Sequence, residues 1–126
     1  MNEEGAQHVA RAEQLLEAAR DLLNLGYPAD SISRSYYAVF HAATAVLMEL
    51  GIQRSSHHAL WAAFGEHVAA KGLMDPRLHR VGLDAFRDRA RSDYFASPGD
   101  TVEDGEETLG AAHEFVAACR EFLEGR

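Results

Sequence analysis

Between Val9 and Phe122 the apolar residues of this chain return every three or four positions, and no stretch alternates apolar with polar. Three-to-four spacing places one stripe of side chains along one face of an α-helix, and the lack of alternation leaves no half-buried strand. The chain is thereby confined to helix packed on helix.

Five segments carry the pattern. Val9, Ala12, Leu15, Leu16, Ala19, Leu22 and Leu23 mark a first helix over 6–25, stopped by Gly26 and the turn Tyr27-Pro28. A second runs from Ala29 or Asp30 to Leu50 and ends at Gly51. Ser55 or Ser56 caps a third over 57–71, with Leu60, Trp61, Phe64 and Val68 facing inward and Lys71-Gly72 as its stop. Asp75-Pro76 opens a fourth that reaches Tyr94. After the turn cluster 97–100, a fifth starts at Asp100 or Thr101 and carries Val102, Leu109, Ala112, Phe115, Val116, Cys119 and Phe122. At 126 residues there is enough chain for one core and too little for two, so the expectation is one domain over 1–126, an all-α antiparallel bundle of four to five helices.

The formal charge of −8 argues against broad electrostatic capture of nucleic acid, though a local cationic pocket remains compatible with it. Cys119 is the only cysteine, which excludes an intramolecular disulfide and suits a small buried apolar residue. Neither a signal peptide nor an apolar run long enough to span a membrane is seen, so a cytoplasmic protein is expected. Seven histidines invite a metal hypothesis, but no two stand three or four apart on a helix. No metal and no cofactor are expected.

The second helix, around SRSYYAVFHAATAV (33–46), is the most informative. On a helical wheel Ile32, Tyr36, Val39, Ala43, Val46 and Leu50 form a core stripe opposite Arg34. Arg34 and His41 share the other side, about 20° apart in projection and about 10 Å apart along the axis. Ala38, Ala45 and Met48 surround them, with Tyr37 and Thr44 on one flank, and only Ser35 and Glu49 resemble ordinary surface residues. That side is expected to be covered by another helix or a second copy of the chain. A covered guanidinium needs a partner. It could be an aromatic face, a fixed carboxylate such as Asp93 or Glu66, or a visiting anion, and the last two stay open as the structural and the functional reading.

Two further groups stand out. His57 and His58 follow a cap serine at a helix N-terminus, where with Arg54 they could hold a phosphate, or simply pack and face water. Arg87, Arg89 and Arg91, near Asp93 and Tyr94, are the one basic cluster in an acidic chain; they could grip RNA phosphates, dock a partner, or pair with the glutamates of the last helix.

SRSYYAVFHAATAVL, SSHHALWAAFGEHV and RARSDY, in that order and over nearly the whole chain, resemble the HEPN family (higher eukaryotes and prokaryotes nucleotide-binding) in its small single-domain form. The resemblance implies a helical bundle that forms a homodimer, with a polar cleft near the interface. It implies a metal-independent ribonuclease of the toxin or defence type, neutralised by a small nucleotidyltransferase, or else a non-catalytic module that binds a nucleotide or that partner. The family signature, Arg then four to six residues then His, is met by Arg34 and His41. They are the candidate catalytic pair. Tyr37, His57, Arg89, Asp93 and Tyr94 are the candidate substrate- or nucleotide-binding residues, and Tyr94 is the first candidate for adenylylation. The chemistry is self-contained, because RNA carries its own 2′-hydroxyl nucleophile. A histidine moves the proton and an arginine stabilises the charge on phosphorus, leaving a 2′,3′-cyclic phosphate and a 5′-hydroxyl.

Overall fold

The computed structural model describes residues 1–96 and 99–126. Five α-helices follow in order: α1 (Glu3–Asn24), α2 (Pro28–Glu49), α3 (His57–Phe64), α4 (Arg77–Tyr94) and α5 (Val102–Glu124). No strand occurs among the described residues. Of the turn cluster expected at 97–100, Ser97 and Pro98 lie outside the described residues.

Most helix ends have a local cause in the sequence. Asn2 Oδ1 accepts the Gly5 N–H at 2.7 Å to start α1. Pro28 opens α2, where its missing N–H costs nothing. Of the two serines before α3, Ser56 is the cap, accepting the Ala59 N–H at 3.0 Å. Thr101 and Asp104 bond reciprocally at the start of α5, a capping box. Gly26 ends α1 at φ 89°, a conformation that a residue with a Cβ rarely adopts.

The third segment departs from expectation. It is α-helical only to Phe64, and from Gly65 to Ala69 it widens into a π-helical turn, with the Ala70 N–H reaching back to the Gly65 carbonyl. The widened turn accommodates a side chain from α4. His79 stacks on Phe64 and its Nε2–H donates to the Trp61 carbonyl at 3.0 Å. A Cβ on Gly65 would lie 2.6 Å from that ring.

α2 is the central rod and packs against α1, α3, α4 and α5. More than half of its 22 residues are buried, including the expected stripe of Ile32, Tyr36, Val39, Ala43 and Val46. Tyr36, Val39, Ala43 and Val46 meet Phe64, Val68, Leu109, Phe115 and Cys119 in one core. α4 approaches α3 closely at Gly82, where a Cβ would fall 2.2 Å from the Trp61 ring. That close approach brings the C-terminal half of α4 over the start of α3.

Two surface assignments on α2 are corrected. Ser35 is fully buried, because α1 covers the side of α2 on which it lies together with Ala38, Ala42 and Ala45. Glu49 is partly covered and pairs with the N-terminal ammonium at 2.9 Å. Among the described residues, no helix is long and apolar enough to cross a membrane.

Candidate functional site

With α1 on one flank and α3 and α4 on the other, α2 leaves only a narrow stripe uncovered. Arg34 is exposed, and Tyr37, Phe40, His41, Thr44 and Met48 are half-buried. Their spacing of three and four puts them along one line of the helix. The expected cover over this stripe therefore exists in part. α1 buries Ala38 and Ala45, but it leaves Arg34 in solvent. The fixed carboxylate, one of the open alternatives for Arg34, is not found either. Asp93 lies against Arg89, Glu66 lies against His67, and Arg34 has no carboxylate within reach among the described residues.

His41 turns toward α1. Its Nδ1 stands 2.9 Å from Nδ1 of His8, with the ring centroids 5.1 Å apart. A hydrogen bond between two such nitrogens holds one proton. If both rings were charged, two N–H groups would face each other. Burial, then His8, then the cation of Arg11 all lower the His41 pKa from its ordinary value. His41 is thus a neutral imidazole at neutral pH.

A second cluster forms on the opposite flank, where α2, α3 and α4 meet. Its centre is Tyr36, which the wheel assigned to the core and which is fully buried. Trp61 Nε1–H donates to Tyr36 Oη at 3.2 Å, and Tyr36 Oη bonds in turn to Nδ1 of His57. Burial pushes the Tyr36 pKa up to about 12, against the opposing effects of the Trp61 bond and the Arg89 cation. His57 is stacked between aromatic faces, 4.5 Å from Phe40 and 5.6 Å from Phe86, with Tyr37 edge-on at 6.2 Å. Its pKa is lowered by burial first, then by Arg89 and His58.

Arg89 completes the cluster. Its Cζ lies 5.2 Å from the Tyr36 ring, 5.7 Å from Tyr37 and 5.6 Å from Phe86, within cation–π range of all three. Its Nε is buried without a hydrogen-bond partner. Asp93, one turn on, approaches only to 3.6 Å and also lies 3.5 Å from the Ser33 hydroxyl.

The three arginines of α4 therefore separate. Arg87 pairs with Asp84 and Asp88, and Arg91 with Asp88 and Asp100, along one exposed face. Arg89, about 200° away from both on the helix, points inward. Of the seven sequence-derived site residues, Tyr37, His57, Arg89 and Asp93 come together. Arg34 and His41 lie on the adjoining stripe, and Tyr94 stands apart, 85% exposed beside Phe95. His58 is exposed and edge-on to Phe86, while Arg54 lines a different cleft of about 460 Å³ with Glu4, His8 and Leu60.

Sequence reasoning missed three participants. Tyr36 and Trp61 carry polar tips that require partners once buried; that requirement was the available signal. His8 gave none, because nothing in α1 marks it as the neighbour of His41. No group of three or more metal-ligating side chains is found among the described residues.

The chain is a helical bundle whose central rod leaves one Arg-Tyr-His stripe uncovered, with a histidine pair on one flank and His57 in an aromatic cluster on the other. Comparison with known proteins supplies the family. Residues 6–122 match the HEPN domain, and the chain belongs to that family. It is 38% identical over 114 residues to a UPF0332 protein of Gloeobacter violaceus, covering 90% of each chain. It is 40% identical over 73 residues to a UPF0332 protein of Pyrococcus horikoshii, covering 58% of this chain and 51% of that one. A protein of Methanocaldococcus jannaschii with the name "Putative toxin MJ0605" is 28% identical over 112 residues, 89% of this chain and 83% of its own.

Proposed function

We propose that this HEPN protein is a metal-independent ribonuclease of the toxin type, held in check by a nucleotidyltransferase partner. The observation that carries the reading is the uncovered stripe of α2 that holds exposed Arg34 and, about two turns on, His41 tied through Nδ1 to His8. A neutral imidazole, anchored through Nδ1 and set on an accessible stripe, is suited to take the 2′-hydroxyl proton of RNA. About two turns along the same line of the helix, Arg34 offers a guanidinium that forms no ion pair among the described residues. It would stabilise the charge that builds on the phosphorus as the 2′-oxygen attacks and the 5′-oxygen leaves. The toxin designation of the M. jannaschii relative supports the biological setting. In this reading the stripe on α2 faces a second copy of the chain, and the protein acts in the cytoplasm, where its RNA is.

Purified protein should cleave RNA in the presence of EDTA and leave 2′,3′-cyclic phosphate ends. His41→Ala should abolish cleavage with the helical signal intact. Intact RNA after prolonged incubation with folded wild-type protein would overturn the reading.

The aromatic cluster favours a second reading, in which the chain is a non-catalytic module binding a nucleotide or the nucleotidyltransferase. Exposed Tyr94 would then be the acceptor of a nucleotidyl group, its phenolic oxygen attacking the α-phosphorus of a nucleoside triphosphate with loss of pyrophosphate. Nucleotide or partner binding without cleavage is its mark.

A further inference from the structure

We propose that His57 and Arg89 form a preorganised site for a phosphate group, in which His57 acts as a hydrogen-bond donor and Asp93 as a competing anion. The proposal deepens the reading above, and rests on it only for whether RNA or a free nucleotide carries the phosphate.

The tautomer of His57 follows from a chain of hydrogen bonds. An indole N–H can only donate. Trp61 Nε1 therefore gives its proton to Tyr36 Oη. Tyr36 is fully buried, so its own hydroxyl proton has no water to reach, and the polar atom within range is His57 Nδ1. An unmade bond at such a depth is costly. Nδ1 accordingly accepts, and in a neutral ring the proton then resides on Nε2. His57 is half-buried, and its Nε2 has no hydrogen-bond partner among the described residues. It is an N–H donor waiting for an acceptor, and it has no lone pair to offer as a base.

Arg89 supplies the charge. Aromatic faces hold its guanidinium on three sides, which fixes direction without using its hydrogen-bond donors. Nε is orphaned in the interior, and the contact with Asp93 is longer than a hydrogen bond. In a protein of formal charge −8, a cation with uncommitted donors next to a neutral imidazole N–H marks a place reserved for an anion. Tyr37, edge-on to His57 and half-exposed, offers a face against which a nucleobase attached to that phosphate could stack. Asp93 is close enough to repel the incoming anion and must be displaced, which gives the proposal a signature of unusual sign.

The test is titration of the wild-type protein with inorganic phosphate, AMP and a 2′-O-methyl RNA oligomer that lacks the reacting hydroxyl. Chemical shifts of the histidine rings report binding, and long-range nitrogen–proton correlations report the tautomers. His57 should show the Nε2–H form in the free protein, and its ring should shift on addition of phosphate. Arg89→Met should weaken binding about tenfold or more. His57→Phe, which keeps the stacking, should weaken it several-fold. Asp93→Asn should tighten it several-fold, an outcome that no loss of folding can imitate. An Nδ1–H tautomer for His57, shifts confined to other residues, or weaker binding in Asp93→Asn would each overturn the proposal. Stronger binding of the oligomer identifies the RNA backbone as the carrier, and stronger binding of AMP a free nucleotide. Since the oligomer cannot be cleaved, absence of ribonuclease activity on ordinary RNA counts against the enzyme reading alone.

Discussion

The two flanks of α2 hold the same residue type in opposite circumstances. On the α1 side, His41 shares a proton with another histidine, and either ring can be the donor. On the α3–α4 side, His57 sits at the end of a chain that begins at a donor-only indole, and its tautomer has one solution. Burial leads in holding both rings neutral. What differs is the neighbour, and the neighbour decides whether a neutral imidazole is a base or a donor. A ring whose partner can yield or accept a proton remains free to change roles. A ring whose partner is tied to Trp61 is fixed in one.

The largest test of this contrast is Tyr36→Phe. Removing the hydroxyl strands the Trp61 N–H and the His57 Nδ1 in the interior, and each stranded group costs about 1–3 kcal/mol. A denaturant midpoint lower by such an amount is expected, together with appearance of the Nδ1–H form of His57. The resonances of His8 and His41 should stay in place. If they move too, the flanks are not independent.

Much of the architecture behind this contrast was legible from spacing alone. The five helices, the stop at Gly26 and the buried stripe of α2 follow from periodicity and turn chemistry, which are local. The end of α3 was not legible, since its π turn accommodates His79, a side chain from α4. Ser35 was misassigned for a related reason: a wheel shows which residues share a side, but not which neighbour covers it. Arg89 could not be told from Arg87 and Arg91 by composition, although their spacing already placed it on the other face of α4. His8 depended wholly on how α1 and α2 lie against each other, and no pattern within α1 encodes that.

A smaller effect should appear on acidification. For both His41 and His57 the folded state depresses the pKa, so the unfolded chain binds more protons as the pH falls through the ordinary histidine value. Stability is therefore complete above that value and declines as the pH drops toward the depressed folded values. The carboxylates held low by their partners, Glu49, Asp75, Asp104 and Glu106, lose their contributions only in more acid solution. The interval just below the ordinary histidine value thus belongs to the imidazoles. The melting temperature should fall across it, less steeply in His41→Asn and least in His41→Asn with His57→Phe. A flat profile in the wild type would mean that neither ring is held neutral.

The smallest effect on stability is also the sharpest functional instrument. Arg34 is exposed and forms no ion pair among the described residues, so Arg34→Ala should change stability by no more than about 0.5 kcal/mol. Arg89→Met is not comparable, because the guanidinium it removes is packed against three rings. A loss of RNA cleavage in Arg34→Ala at unchanged stability could then come only from a missing cation at the reacting phosphate. Full cleavage in that variant would move the charge-stabilising role away from Arg34 and make Arg89, packed against three rings and with an unpartnered Nε, the next arginine to replace. With His57 fixed as a donor, the α3–α4 cluster would then supply charge and a hydrogen bond to the phosphate, while His41 kept the role of base.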